Sequence, residues 1–189
     1  MTDTAAFHAA FAETTGIIDG LVAQLTPDHR EQSTPCKDFT VHDLLNHVAG
    51  GGHMVSAIFA GEAPRGFDVD WMTEAGGPVA GWEGARDAMR GAFSDENLTT
   101  DKPGPGGESP GINFASLMVA DHLIHAWDLA QAIGADISPS EETVALAGAA
   151  MRPLITPERR DGDAFEDEKP APAGATTLQE LVAYSGRTI

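Results

Sequence analysis

From Asn113 to Gly134, apolar residues return every three to four positions, and this helical period restricts the chain more than any other feature. At about 100° per residue, Phe114, Leu117, Met118, Leu129 and Ala132 fall within about 60° of one direction. Asp121 and His125, one helical turn apart, point along the centre of that same stripe. A helix patterned this way buries two ionisable groups along with its apolar face. A carboxylate removed from water without a partner is strongly destabilising, so the fold must bring a compensating charge. A metal ion shared with a third ligand would supply it.

The same geometry locates that third ligand. The segment Thr40 to Ala60 is the other strongly apolar helical stretch with histidines, and Val41, Leu44, Leu45, Val48, Val55, Ile58 and Phe59 mark its inner stripe. His47 falls at the stripe's edge, close in angle to Ile58, whereas His42 and His53 point to roughly the opposite side. His47, Asp121 and His125 are therefore the candidate metal ligands. The same residues also allow a site without an ion, in which Asp121 and His125 pair with each other and His47 is a satisfied core histidine. Of the neighbours, His122 lies on the rim of the stripe as a substitute ligand, and Asp128, also on the inner face, is placed to orient a ligand or to bond a loop backbone. Trp127 is angularly separate from the ligands and reads as packing, and Met54 and Met118 read as core filler.

Composition narrows the function. With 189 residues and 42% hydrophobic residues the chain suits a single domain spanning 1–189. No run approaches the roughly 18 apolar residues of a membrane span, and the start, Met1 to Gly16, lacks a basic region before an apolar block, so a cytoplasmic protein is expected. Eleven basic against 29 acidic residues, a formal charge of −18, exclude nucleic acid and anionic membrane surfaces as partners. Cys36 is the sole cysteine, which rules out an intrachain disulfide and a multi-cysteine zinc site, and it reads as an inert thiol. No serine has a nucleophile-elbow context.

The pattern predicts an all-α fold: helices over about Thr4–Leu25, Thr40–Ala60, Trp82–Phe93 and Asn113–Gly134 form a four-helix bundle. Thr40 and Asp43 make a capping pair, and Gly50–Gly52 reads as close packing against a neighbour. Residues 61–81 and 94–111, rich in Gly and Pro, read as long irregular connections that carry the pocket walls, with Trp71 and Met72 turned inward. Further helices are expected from Ser140 to about Arg152 and near Thr177–Ser185, with an acidic, Pro-rich link over 161–175.

The segments TPCKDFTVHDLLNHVAGG, DHLIHAWDLAQAIG and LQELVAYSGR resemble metal-binding proteins related to the N-terminal domain of mycothiol-dependent maleylpyruvate isomerase, within the DinB-like helical-bundle superfamily. The resemblance implies a divalent metal held by His47, Asp121 and His125. It departs at Asp121, where the isomerase usually has Glu, and in that the isomerase carries an additional domain beyond the bundle. Two imidazoles and a carboxylate suit zinc first, with nickel or iron also compatible. The expected function is a mycothiol-dependent S-transferase, or else an isomerase, in which the metal activates the thiol toward a small electrophile. Two alternatives stand: a non-catalytic, metal-stabilised binding or stress-response protein, and a metal-dependent hydrolase. The sequence names no catalytic residue and no substrate, and it is compatible with a homodimer.

Overall fold

The computed structural model describes residues 3–66, 68–161 and 165–189. Met1, Thr2, Phe67 and residues 162–164 of the expected acidic link lie outside the described residues. The elements in chain order are α1 (Thr4–Val22), α2 (Val41–Ala60), α3 (Trp71–Ala75), α4 (Pro78–Ala92), α5 (Asp95–Thr99), β1 (Asp101–Gly104), β2 (Gly107–Pro110), α6 (Gly111–Ile133), α7 (Glu141–Met151), α8 (Pro157–Asp161) and α9 (Thr177–Tyr184). Helices α1, α2, α4 and α6 pack around one core, as the apolar periods predict: α2 against α4 and α6, and α1 against α6 and α4. No helix among the described residues is long and apolar enough to cross a membrane.

Local sequence sets the boundaries. The Thr40 hydroxyl accepts from the Asp43 backbone N–H while Asp43 accepts from the Thr40 N–H, closing the predicted capping box at the start of α2. Gly61 and Gly134 end α2 and α6 in left-handed conformations that a side chain would strain. Inside α2, a methyl group at Gly52 would stand 3.0 Å from Met89 Cε and 3.3 Å from Ala85 Cβ, and one at Gly51 would stand 2.9 Å from Met118 Cε. The glycine run thus lets α4 and α6 approach closely, which outweighs its cost in helix propensity.

Helix α6 is buried on two sides. Its inner stripe joins Phe7, Phe59 and Phe93 in the bundle core, while Leu123, Ile124 and Trp127 pack against Val144, Met151, Leu181 and Val182 of α7 and α9. The second cluster explains why Trp127 is buried although it lies off the inner stripe. Glu13 ties this outer layer to α1, accepting from the Ser140 N–H at 2.7 Å and from the hydroxyls of Ser140 and Thr143.

The two connections are more regular than their composition suggests. Over 61–81, Asp70 caps the short α3 by accepting from the Thr73 N–H at 2.9 Å, and Pro78 at the first turn starts α4 four residues before the expected Trp82. Over 94–111, Ser94 caps α5, and β1 and β2 form a hairpin pairing Asp101 with Pro110 and Gly104 with Gly107. Gly107, with φ near 100°, permits the tight turn. Propensity was overridden there by caps and a turn that need only one or two residues each.

Candidate metal centre

Two helices present the three predicted ligands. His47 comes from the second turn of α2, and Asp121 and His125 from successive turns of α6, where the helices lie side by side. Asp121 Oδ1 is 3.6 Å from His125 Nε2 and 3.8 Å from His47 Nε2, and one donor atom of each residue lies within 4.8 Å of the others. Donors about 2.0–2.2 Å from a single tetrahedral ion stand roughly 3.4 Å apart, so small side-chain shifts would bring this nitrogen, nitrogen and oxygen set onto one cation. The two imidazole rings meet edge to face at 4.9 Å. The donor set and its spacing fit a divalent ion such as zinc.

The centre has a dry side and a wet side. His125 is 7% exposed, whereas the side chains of His47 and Asp121 are 36% and 29% exposed at the floor of a cleft. Burial works against the Asp121 charge, yet the imidazoles of His125 and His47 outweigh it and hold the carboxyl well below the usual range. Burial likewise opposes a charged His47, but the nearby Asp121 carboxylate reverses the balance and raises its pKa.

Behind the donors stands a second layer. The Asp128 side chain is fully buried, and His125 Nδ1–H donates to its Oδ2 at 2.9 Å. A carboxylate there can only accept, which keeps a proton on Nδ1 and turns His125 Nε2 toward Asp121. Arg187 completes the arrangement from the segment after α9, its Nη2 donating to Asp128 Oδ2 at 2.8 Å and its Nε to Oδ1 at 3.2 Å. Burial favours a neutral Asp128, but these bonds prevail and keep it ionised.

The remaining candidates separate cleanly. His122 is buried with its ring nitrogens facing the carbonyls of Met118 and Val48, so it is committed to the backbone instead of the centre. His42 joins Asp70 and Asn46, and His53 stacks on Trp71, both on the side of α2 that helical phase assigned them. Cys36, half-buried beside His125 and Asp128, has its thiol pushed up to about 11 by burial, with Arg187 opposing and Asp128 and Asp121 adding to the rise.

The cleft over the donors has a volume of about 690 Å³. Its walls were expected in the connections over 61–81 and 94–111. They come instead from residues 35–39, 151–160, 165–169 and 185–187, because α9 and the segment after it fold back across α6. The connection over 61–81 borders a second cleft, on the far side of His47, through Asp68, Asp70 and Trp71. Arg187 and the wall beyond α7 are what sequence reasoning missed. The signal lay in charge: Arg152, Arg159, Arg160, Lys169 and Arg187 crowd nearly half of the chain's 11 basic residues into its last 38 positions.

A four-helix bundle with two imidazoles and a carboxylate converging from facing helices is of the DinB-like class. The chain belongs to the family described as the mycothiol maleylpyruvate isomerase N-terminal domain, which its residues 11–130 match. Two uncharacterized proteins of Mycobacterium tuberculosis, from strains CDC 1551 / Oshkosh and ATCC 25618 / H37Rv, are each similar to it. Each is 33% identical over 171 residues, covering 89% of this chain and 91% of the relative. No solved structure matches the chain significantly.

Proposed function

We propose that this protein holds one divalent cation, zinc first, on His47, Asp121 and His125, and uses it in thiol chemistry with mycothiol as the sulfur donor. The observation that carries this reading is the convergence of three nitrogen and oxygen donors from α2 and α6 on the floor of an open cleft. When bound, the cation would stabilise a thiolate near neutral pH. Three protein ligands leave a coordination position for such a sulfur, as catalytic sites do and closed structural sites do not. The family description supplies the thiol.

The chain's own residues hold the geometry. Asp128 and Arg187 lock the His125 ring, and Ile124, Met151 and Leu154 give the cleft apolar lining. In a transfer the thiol proton leaves to solvent, a sulfur–carbon bond forms, and the leaving group departs with its bonding pair. In an isomerisation the same sulfur adds to a double bond and is expelled after rotation.

Metal analysis combined with a conjugation assay tests this reading. We expect about one zinc per chain, lost in His47→Ala and His125→Ala, and mycothiol consumption with 1-chloro-2,4-dinitrobenzene above the uncatalysed rate only in the loaded wild-type protein. Full metal retention by both variants, or conjugation at the uncatalysed rate, would overturn it.

A further inference from the structure

The cleft is a local reversal of the protein's charge. The whole chain carries 11 basic against 29 acidic residues. Among the described residues that line the cleft the ratio inverts: Lys37, Arg159, Arg160, Lys169 and Arg187, against Asp121, Glu166 and Asp167. Asp121 belongs to the metal-ligating set, so it would be neutralised there. In an acidic protein such a patch focuses the field and draws anions into the cleft.

Not all five cations are equally available. Arg187 is tied to Asp128, Lys169 lies 3.6 Å from Glu166, and Arg160 donates to the backbone carbonyls of Glu166 and Tyr184. Among the described residues, Lys37 and Arg159 make no ion pair. They also come from separate segments of the chain, before α2 and within α8. Ile124, Met151, Leu154 and Phe165 give the same cleft apolar lining. Apart from Lys37, every cation of the cleft lies beyond residue 130, outside the part of the chain that matches the family.

We infer that this cleft selects a small molecule with an apolar carbon body and an anionic head, which Lys37 and Arg159 engage. The head is a carboxylate or a phosphate, since both accept charge-assisted hydrogen bonds from Lys and Arg. A cleft of about 690 Å³ fits a small molecule, and the chain's net charge of −18 opposes a polyanion. That this molecule is the electrophile of the thiol reaction rests on the function proposed above; its binding does not.

Calorimetric titration of the purified protein, zinc-loaded and zinc-free, with benzoate, phenyl phosphate and the uncharged benzamide separates the two. Benzoate or phenyl phosphate should bind at least tenfold more tightly than benzamide, and the tighter of the two identifies the head group. The preference should persist without zinc and fall at least fivefold in a Lys37→Gln, Arg159→Gln double variant that keeps its zinc stoichiometry and helical circular dichroism. A protein that prefers the anions yet takes up no zinc would sink the metal reading and leave this one standing. Equal binding of benzoate, phenyl phosphate and benzamide, an unchanged preference in the double variant, or a preference that disappears without zinc would each overturn it.

Discussion

Arg187 grips Asp128 through two hydrogen bonds, 2.8 and 3.2 Å, and Asp128 in turn accepts from His125 Nδ1. With the Asp128 side chain fully buried, removing the guanidinium leaves a carboxylate inside the protein with only an imidazole beside it. Arg187→Ala should therefore destabilise the fold by about 3 kcal/mol, read as a shift in urea midpoint. Arg187→Lys, which keeps the charge but not the two-pronged geometry, should recover only part of that. Asp128→Ala should also weaken zinc binding roughly 10–100-fold, because His125 loses the partner that sets its tautomer.

Because Asp121 raises the pKa of His47, a proton competes with any cation for that ring. Zinc affinity should climb with pH through and above the ordinary histidine value of 6.5. For the metal-free protein the sign is opposite. The His47–Asp121 contact contributes in full below 6.5 and is lost as pH rises through the higher folded value. Thermal midpoints of metal-free wild type and His47→Gln should thus converge toward alkaline pH.

Glu13 gives a test in acid. Burial favours its protonated form, but three bonds from Ser140 and Thr143 outweigh that and lower its pKa below 4.5. Its contribution is complete above 4.5 and fades as pH falls through the lower folded value. Glu13→Gln should cost about 1 kcal/mol at neutral pH, and the gap to wild type should shrink at about pH 3 in chemical denaturation.

Gly52→Ala is expected to destabilise the protein by about 1–3 kcal/mol, although alanine favours helix by about 1 kcal/mol. The added methyl group meets Ala85 Cβ at 3.3 Å and Met89 Cε at 3.0 Å, and Ala85 has no flexible end to yield. Gly16→Ala, on an open face of α1, should be neutral or stabilising in the same melting experiment.

With its thiol pushed up from 9.0 to about 11, Cys36 should react with iodoacetamide at pH 7.4 about a hundredfold more slowly than an ordinary cysteine. Alkylation kinetics followed by mass spectrometry measure this directly. Reaction at the ordinary rate would show that burial does not protect it.

The helical period carried most of what sequence could reveal. It placed His47, Asp121 and His125 on facing stripes and separated off His42 and His53, because angular position along a regular helix is fixed by residue count alone. It failed where structure depends on single caps: α3 rests on Asp70, α5 on Ser94, and the hairpin on Gly107. It also could not see Arg187, since nothing local dictates that a residue after α9 returns to α6. Such a return is settled by which apolar faces meet, here Leu181 and Val182 against Leu123 and Ile124.

A two-pronged contact also works as a linkage. Arg187 lies 59 positions beyond the carboxylate it holds, and that carboxylate grips an imidazole at the heart of the molecule. Anything that pulls the segment after α9 outward would therefore be felt at once by a ring less than one turn away on the same face of α6, and the ring's orientation would report whether that segment is seated.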